Sequence, residues 1–501
     1  MLYKQAATII ESAKKQKRSV KSLLYACQTK NFRQLYALVN ETLKYSLIID
    51  DILKSTKLLQ LEKSLSESFA QVCLYDLLFG KGLRGNGKDI KAVLRYKTTL
   101  RAALARLKVK AKVSKNEDLL VKEVKNIGVI PRYVRVNTLR CSVKEAVDHF
   151  TANGYKCLLT ANQRKEQCSG INPEELHAFQ KELLSRLDAK SFFIDVHLPF
   201  LLVFSHGCDL HADPLYLNGS VILQDKASCI PAYVLNPPDD SHVIDACAAP
   251  GNKTSHLASI MNNTGKIFAF DLDWKRLKIL QKLTSKAGVK NVESKNCNFI
   301  EDVNPGEDKF KTVEYILVDP SCSGSGMVAR LDHVTNDVQS ESRKRLESLA
   351  SFQVSILKHA LSFPAVKRVV YSTCSQHRVE NEEVVELILK ACPSFRVIKS
   401  LPDWHKRGIK DSEVGEDCLR AEPSETRTNG FFVALFERRE TDGLLEENNS
   451  QQKKLKRKRK KKKKIENSSV EMISSKQIEE VSKNKPKKKK RRKKNKLDES
   501  M

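Results

Sequence analysis

The sequence lacks the features that would place the protein in a membrane or build it around disulfides or zinc. No apolar run approaches the roughly 18 residues that a membrane-spanning helix needs. The 13 cysteines include no Cys-x-x-Cys pair, and their odd number fits neither a disulfide framework nor a zinc site. We therefore expect reduced thiols in a cytosolic or nuclear protein, with no membrane partner and no metal.

The first residues, MLYKQAATIIESAKKQKR, lack the uninterrupted apolar core of a secretory signal. They are basic and amphipathic, which leaves a mitochondrial presequence as an alternative. Glu11 and the preference for lysine over arginine argue against that alternative.

The net charge of +29 is confined to the two ends of the chain. Residues 1–130 carry 26 lysines and arginines against 11 acidic residues, and residues 441–501 carry 23 against 9. Residues 131–440 carry 40 of each, so the centre is neutral. This pattern predicts a neutral folded centre with two ends that attract a polyanion, although basic flanks could also serve solubility alone.

Residues 1–128 are predicted to form a basic helical domain, whose charge suits a polyanion such as RNA. Apolar residues at three- and four-residue spacing predict one helix within 32–54 and another within 61–80, and a third is expected near 97–110. The first apolar stripe is the following: Leu35, Leu38, Val39, Leu43 and Leu47.

A literal G-x-G-x-x-G occurs at Gly80, Gly82 and Gly85. The dinucleotide-binding fingerprint needs a strand before it, whereas this one follows a predicted helix. We interpret it as a flexible connection.

Residues 129–235 read as a small α+β subdomain, with a strand in PRYVRVNTL (131–139) followed by a helix in 142–154. From 236 to 440, apolar strands alternate with amphipathic helices, which predicts a doubly wound, mainly parallel, seven-stranded sheet. The candidate strands are 242–247, 266–271, 313–319, 366–373 and, as one arm of an antiparallel hairpin, 431–439. Residues 441–501 are lysine-rich and predicted to be disordered.

The first strand of this sheet runs into Ala248-Ala249-Pro250-Gly251-Asn252-Lys253-Thr254. Small residues and a Pro-Gly turn let the backbone approach a ligand at the carboxyl end of the strand. The second strand ends at Asp271, a carboxylate placed to bind two ribose hydroxyls, with Arg276 one turn later. Ribose recognition without a phosphate-binding loop indicates an adenosine ligand such as S-adenosylmethionine, although Asp271 could instead only cap the next helix.

Two further strands end in cysteine-containing polar loops. One continues into Asp319-Pro320-Ser321-Cys322 and the other into Ser372-Thr373-Cys374-Ser375. A lone cysteine at a strand end is usually part of the core. Two at the same sheet edge, beside a ligand cleft, favour nucleophilic chemistry.

These loops resemble the signature loops of the Sun-domain RNA cytosine-5 methyltransferases. The resemblance rests on 245–254, 319–326 and 372–375, with PRYVRVNTL (131–139), LQDKASC (223–229) and NGFFVALFER (429–438) similar to other blocks of that family. It covers about residues 130–440 and implies a Rossmann-like class I methyltransferase domain. The N-terminal helices, with NEDLL (116–120), further resemble the member that modifies large-subunit ribosomal RNA.

The resemblance implies a mechanism and a set of site residues. Cys374 would attack carbon-6 of a cytosine, Cys322 would assist product release, and Asp319 would contact the base. The cofactor would be S-adenosylmethionine. Its contacts would be Cys247, Ala248, Ala249, Pro250, Gly251, Asn252, Lys253, Asp271, Arg276 and Asp319. Lys253 could reach the base or cofactor, or serve only as a lysine in the first turn of a helix.

Two details bear on the roles of these residues. Many relatives carry an acidic residue where this chain has Asn298, so we expect weaker adenine specificity but not loss of binding. Pro320-Ser321-Cys322 also resembles superficially the Pro-Cys of DNA cytosine-5 methyltransferases, but Ser-Thr-Cys at 372–374 favours the RNA-type assignment with Cys374 as nucleophile.

The expected partner is large-subunit ribosomal RNA, bound by a monomer, with pre-ribosomal proteins as further candidates. The lysine tracts at 453–464 and 485–496 are expected to bind phosphate and to direct the protein to the nucleus and nucleolus, unless they form only a solvated tail. Transfer RNA remains an alternative substrate. A non-catalytic ribosome-assembly scaffold is the alternative from another class, and its sign would be loss of Cys374, Asp319 or the Ala-Pro-Gly loop.

Overall fold

The computed structural model describes residues 2–16, 20, 23–24, 27, 29, 31–120, 130–327 and 343–439. The lysine-rich segment that the sequence predicts to be disordered lies outside this range. No helix of the described part is long and apolar enough to cross a membrane.

The N-terminal part consists of helices around one apolar core. The helices are α1 (Leu2–Gln16), α2 (Phe32–Lys44), α3 (Ser46–Thr56), α4 (Leu58–Leu61), α5 (Glu67–Leu78), α6 (Lys88–Arg95) and α7 (Lys97–Ala111). Their buried side chains form a single cluster within residues 6–120. On α7, Leu100 and Leu104 are buried whereas Arg101 and Arg106 are exposed, as expected for a helix with a basic face.

The single helix predicted within 32–54 is wrong, because the chain forms two helices that meet at Tyr45. The interruption shifts the phase of the apolar stripe. Leu43 is buried, but Leu47 is 46% exposed, and the core positions continue instead at Ile48 and Ile49.

The helix predicted within 61–80 begins only at Glu67. The Ser66 side chain accepts a hydrogen bond from the Phe69 amide and so caps the helix there. The G-x-G-x-x-G at 80–85 then joins α5 to α6, with a helix and not a strand before it. Gly82 and Gly85 have positive φ. The motif is therefore a helix–helix connection and not a dinucleotide fingerprint.

The middle part is an α+β unit with a five-stranded sheet. Its elements are β1 (Arg132–Val136), α8 (Val143–Ala152), β2 (Lys156–Cys157), α9 (Ala161–Cys168), α10 (Pro173–Ser185), β3 (Ser191–Ile194), β4 (Leu201–Phe204), α11 (Pro214–Leu217) and β5 (Val221–Leu223). The strand order is β2-β3-β4-β1-β5. Helix α8 starts after Ser142, whose side chain and that of Glu145 form a capping box.

The C-terminal part is a second, larger sheet flanked by helices. Its elements are α12 (Lys226–Leu235), β6 (His242–Asp245), α13 (Asn252–Ile260), β7 (Lys266–Asp271), α14 (Trp274–Ala287), β8 (Val292–Asn296), α15 (Phe299–Asp302), β9 (Val313–Val318), α16 (Arg343–Leu361), β10 (Arg368–Thr373), α17 (Glu382–Ala391), β11 (Phe395–Ile398), β12 (Leu419–Ala421), α18 (Pro423–Thr426) and β13 (Phe431–Arg438). The order is β11-β13-β10-β9-β6-β7-β8, with β12 also paired to β13.

The sheet has eight strands and not the seven predicted, because β11 and β12 share one position beside β13. Strand β13 pairs antiparallel with β10 on one side, and on its other side β12 and β11 pair with its two halves in turn. The antiparallel direction predicted for β13 is confirmed. The strand lies inside the sheet, and β12 precedes it as the short antiparallel partner.

Helix α12 packs against β9, β10 and β13, so the chain that links the two sheets is part of the core of the larger one. Strands β6, β7, β9 and β10 are mutually parallel across this core. Their carboxyl ends therefore share one edge of the sheet, where ligands bind in open α/β folds.

The phase shift at Tyr45 can be tested with two substitutions. We expect Ile49→Ala, which empties a fully buried position, to lower the free energy of unfolding by about 2–5 kcal/mol. Leu47→Ala is the control, and should change it by about 0.5 kcal/mol or less because the side chain is half exposed. Denaturation followed by circular dichroism measures both, and equal losses would contradict the break in the helix.

Candidate active site

The turn after β6, residues 246–251 (the cofactor loop), packs closely against the neighbouring strand and helix. The Ala248 amide donates to the Phe270 carbonyl at 2.8 Å. Gly251 has φ +104°, and a Cβ there would lie 3.1 Å from Cγ and 3.2 Å from Cα of Leu280. Only glycine meets both requirements without strain, so the loop backbone can turn sharply into α13.

Asp271 fixes the cofactor loop from the end of β7. Its carboxylate accepts hydrogen bonds from the Ala249 amide at 3.0 Å and from the Asp273 amide at 2.9 Å. The cap of α14 is Asp273, whose side chain accepts from the Lys275 and Arg276 amides. The alternative that Asp271 only caps the following helix is therefore wrong.

Arg276 braces the same loop from outside. Its Nη2 donates to the Ala249 carbonyl at 2.5 Å, and its Nη1 lies 3.7 Å from Asp271 Oδ2. The side chain is half exposed. The structure thus brings Arg276, Asp271 and the cofactor loop together, as the sequence predicts.

Asn298 lies outside the cofactor loop, between β8 and α15. Its side-chain oxygen caps the short helix α15 by accepting from the Ile300 amide at 3.1 Å. An adenine contact from Asn298 stays a prediction.

The two candidate catalytic cysteines meet at the edge of the sheet. Strands β9 and β10 are parallel, with Val318 beside Tyr371, so the loops that follow them emerge next to each other. Cys322 Sγ and Cys374 Sγ are 3.3 Å apart, and both side chains are half-buried. The two cysteines are thus within hydrogen-bonding distance without being joined in a disulfide.

The environment favours a thiol at Cys322. Its hydrogen bond with Cys374, its burial, and the charges of Glu380 and Asp319 raise the pKa of Cys322 well above the usual range. Cys247, in the cofactor loop, also has a raised pKa, mainly because it is buried. These surroundings disfavour the thiolate form of both groups.

Asp319 lies in a short hydrogen-bonded chain beside the cysteines. Lys253 Nζ contacts Asp319 Oδ2 at 2.7 Å, and Ser372 Oγ donates to Asp319 Oδ1 at 2.7 Å. Burial by itself would lower the pKa of Lys253, but Asp319, Asp245 and Cys374 together outweigh it and raise that pKa, so the ammonium is charged. Lys253 is only 13% exposed and is therefore not a solvated first-turn lysine.

Two glycines let the cysteine loops and the start of β13 approach one another. The Gly326 amide donates to the Cys374 carbonyl at 2.9 Å, and the Gly430 amide donates to the Gly326 carbonyl at 2.7 Å. A Cβ on Gly326 would lie 2.3 Å from the Gly430 oxygen. Any larger residue at 326 would therefore push the loop of Cys322 away from Gly430 and the start of β13.

Family models match almost all of the described chain. Residues 232–437 match the 16S rRNA methyltransferases RsmB/F. Residues 33–120 and 130–224 match the N-terminal and the ferredoxin-like domains of NOL1/NOP2/Sun domain family member 5.

Curated relatives extend this match to whole proteins. The chain is 45% identical to a 28S rRNA (cytosine-C(5))-methyltransferase of Mus musculus, over 88% of this chain and 91% of the mouse protein. It is 38% identical to the 25S rRNA (cytosine-C(5))-methyltransferase rcm1 of Schizosaccharomyces pombe, over 86% and 90% of the two chains. The chain belongs to the NOL1/NOP2/Sun-domain family of RNA methyltransferases.

The fold of this Sun-domain protein is also found in a solved structure. A methyltransferase homolog from Pyrococcus horikoshii is 22% identical and superposes with a TM-score of 0.50, over 76% of this chain and 98% of the archaeal one. The α/β methyltransferase architecture predicted from the sequence is therefore confirmed.

The Sun-domain cofactor loop fits S-adenosylmethionine. The side chains at 248 and 249 are small, Gly251 packs against Leu280, and the Asp271 carboxylate stands at the end of the adjacent strand. Backbone donors occupy one position on each Asp271 oxygen, and a carboxylate oxygen can accept a further hydrogen bond from a ribose hydroxyl. Among the described residues, no cluster of His, Cys, Asp or Glu has the form of a metal site.

Several contributors to this Sun-domain site were not singled out from the sequence. Ser372, Gly326 and Gly430 lie within the motifs at 372–375, 319–326 and 429–438. Those motifs mark the three residues as part of the site, but they do not show which atoms the residues contact. Glu380, by contrast, lies in an acidic stretch that reads as a solvated helix start, and nothing in the sequence indicates that it is buried.

Asp245, which precedes the cofactor loop, gives the Sun-domain protein a pH-dependent stability. The carboxyl is buried, Thr254 Oγ1 donates to its Oδ2 at 2.8 Å, and Oδ1 has no partner within the described residues. Burial raises its pKa from 3.8 to about 7. The folded protein therefore keeps a proton that the unfolded chain has already released.

The contribution of Asp245 to stability is complete below about pH 4 and is lost as the pH rises through about 7, a change on the order of 4 kcal/mol. We expect Asp245→Asn to remove this part of the decline in the free energy of unfolding. Denaturant titrations of both proteins at several pH values across that range measure it, and parallel pH profiles would refute the raised pKa.

Proposed function

We propose that the protein uses S-adenosylmethionine to methylate carbon-5 of a cytosine in large-subunit ribosomal RNA, through a covalent bond between Cys374 and carbon-6 of the base. The observation that carries the proposal is the pair of sulfurs 3.3 Å apart beside the ion pair of Asp319 and Lys253. Two thiols and a carboxylate at one sheet edge fit addition of one thiol to a pyrimidine, with a second thiol to assist release.

The chemistry explains why a thiol is needed. Carbon-5 of cytosine is a weak nucleophile, and addition of the Cys374 thiolate to carbon-6 converts the ring to an enamine whose carbon-5 is electron-rich. The bound cofactor supplies an electrophilic methyl group. After methylation, a base removes the carbon-5 proton, the carbon–sulfur bond breaks, and Cys374 leaves as a thiolate.

The residues around Cys374 would have separate roles in this reaction. Lys253 is charged and interacts electrostatically with Cys374, which favours the thiolate form needed for attack. Asp319, oriented by Ser372, would accept hydrogen bonds from the amino group and the protonated N3 of the cytosine. Cys322, held as a thiol next to the nucleophile, would assist the release step.

The target cytosine must leave the stack of neighbouring RNA bases to react. Cys374 has to approach one face of the pyrimidine while the methyl group reaches carbon-5, and a stacked base exposes neither face. We therefore expect a flipped or unpaired cytosine as the substrate.

The names of the relatives favour ribosomal RNA over transfer RNA. The mouse and fission yeast proteins are named for 28S and 25S rRNA, and each is matched over about nine-tenths of its own length. The scaffold alternative would be marked by loss of Cys374, Asp319 or the Ala-Pro-Gly loop, and the chain retains all of them.

The charged ends complete the proposal. The domains that we predict are a basic helical domain at 1–128 that would bind RNA, a small subdomain at 129–235, a methyltransferase domain at 236–440 and a tail at 441–501. Helix α12, within 129–235, nevertheless packs on the larger sheet. The tail would direct a monomeric enzyme to the nucleus and nucleolus, where pre-ribosomal proteins are its expected neighbours.

The roles of the two cysteines predict opposite outcomes for two substitutions. Cys322→Ala should accumulate a covalent RNA–protein adduct because release is impaired, whereas Cys374→Ala should form none. A band of reduced mobility on a denaturing gel, removed by ribonuclease, measures the adduct. The reverse pattern would exchange the two roles.

The substrate is tested in cells that lack the protein. Bisulfite sequencing should show loss of one methylated cytosine in large-subunit ribosomal RNA, restored by wild-type protein but not by Cys374→Ala. Loss of a methylated cytosine in transfer RNA instead would reject ribosomal RNA as the substrate.

A further inference from the structure

A single buried carboxylate connects the loops of the two cysteines. Glu380 Oε1 accepts a hydrogen bond from the Ser323 amide at 2.9 Å, and its Oε2 accepts from Ser375 Oγ at 2.5 Å. Ser323 directly follows Cys322, and Ser375 directly follows Cys374. Each oxygen of one side chain thus holds one cysteine loop.

The carboxylate is itself held from the helix side. Gln353, on α16, donates through Nε2 to Glu380 Oε1 at 3.0 Å and to the Ser321 carbonyl at 3.1 Å. Tyr371 OH donates to the Glu380 backbone carbonyl at 2.6 Å. Glu380 and Gln353 are fully buried. We call the Glu380 side chain, together with the two loops that it joins, the clamp. Its contacts hold it between α16, β10 and the turn before α17.

The groups that donate to this side chain are neutral: a backbone amide, a side-chain amide and a hydroxyl. A carboxylate buried against neutral donors costs more free energy than an exposed one, and a simple packing role does not require it. What the Glu380 side chain provides is length, since its two oxygens span the gap between two loops that follow different strands.

We propose that Glu380 is the positioning residue that holds the two cysteine loops together and thereby sets the distance between the sulfurs of Cys322 and Cys374. This inference rests on the proposed function for its catalytic consequences, but the geometry that it explains does not depend on any substrate. The negative charge of Glu380 also helps to keep Cys322 protonated.

Three substitutions test whether the length of the Glu380 side chain or its charge is the property that matters. Glu380→Ala should lower kcat for RNA methylation by about 100-fold, because displacements of about 1 Å at reacting groups have effects of that size, while KM for RNA and the Kd for S-adenosylmethionine stay unchanged. Glu380→Gln should recover most of kcat, since the amide oxygen can still accept from Ser323 and its NH2 can donate to Ser375. Glu380→Asp should not, because it is one methylene shorter.

A matched control removes a similar contact elsewhere. Glu386 Oε1 accepts from Ser412 Oγ at 2.5 Å, the same type and length of hydrogen bond, but Ser412 belongs to neither cysteine loop. Glu386→Ala should therefore leave kcat near the wild-type value. A Glu380→Ala enzyme with unchanged kcat would overturn the proposal, and so would an active Asp variant together with an inactive Gln variant.

The sulfur spacing can be measured without RNA. Phenylarsine oxide bridges two neighbouring thiols with release of water, and peptide mapping by mass spectrometry identifies a bridge between Cys322 and Cys374. We expect rapid bridging in wild type, Glu380→Gln and Glu386→Ala, and much slower bridging in Glu380→Ala and Glu380→Asp. Equal bridging in all of them would overturn the clamp.

The two tests also distinguish failure of this inference from failure of the proposed function. If the wild-type protein forms no adduct with RNA but its bridging depends on Glu380, the clamp stands and the proposed reaction fails. If wild type reacts with RNA and Glu380→Ala reacts and bridges equally fast, only the clamp fails.

Discussion

The parallel pairing of β9 and β10 is the constraint on which the site depends. Because Val318 and Tyr371 lie side by side in that pairing, the chain leaves both strands at the same level, and the loops bring Cys322 and Cys374 to a sulfur–sulfur distance of 3.3 Å. A shift of the register by one residue would reverse which side chains face the cleft. The buried apolar residues of both strands specify that register, so the core of the sheet also determines the chemistry at its edge.

The two sulfurs differ because their surroundings differ. Cys322 has a raised pKa, whereas Cys374 interacts with the charged ammonium of Lys253. Asp319 takes part in both effects, since it raises the pKa of Cys322 and keeps Lys253 charged. The Asp319 carboxylate therefore contributes to the surroundings of both sulfurs, and the separate roles that we propose for the two thiols require surroundings that differ.

Much of this arrangement is predictable from the sequence, and the exceptions have physical causes. The bounds of β7 were predicted as the structure has them, and those of β9 and β10 to within two residues, because unbroken apolar runs ending in polar loops have few other interpretations. The helix break at Tyr45 was missed because the apolar spacing continues across it. The internal position of β13 depends on long-range pairing. The burial of Glu380 could not be inferred, since its donors come from three separate segments of the chain.

The central claim, that Cys374 and not Cys322 bonds to the base, is tested most directly by a crystal structure of the wild-type protein trapped on its RNA. A 5-fluorocytidine at the target position blocks proton removal from carbon-5 and so prevents release. The account predicts continuous density between Cys374 Sγ and carbon-6, with Asp319 at the N3 and amino edge of the ring. Density joining Cys322 to the base would contradict it.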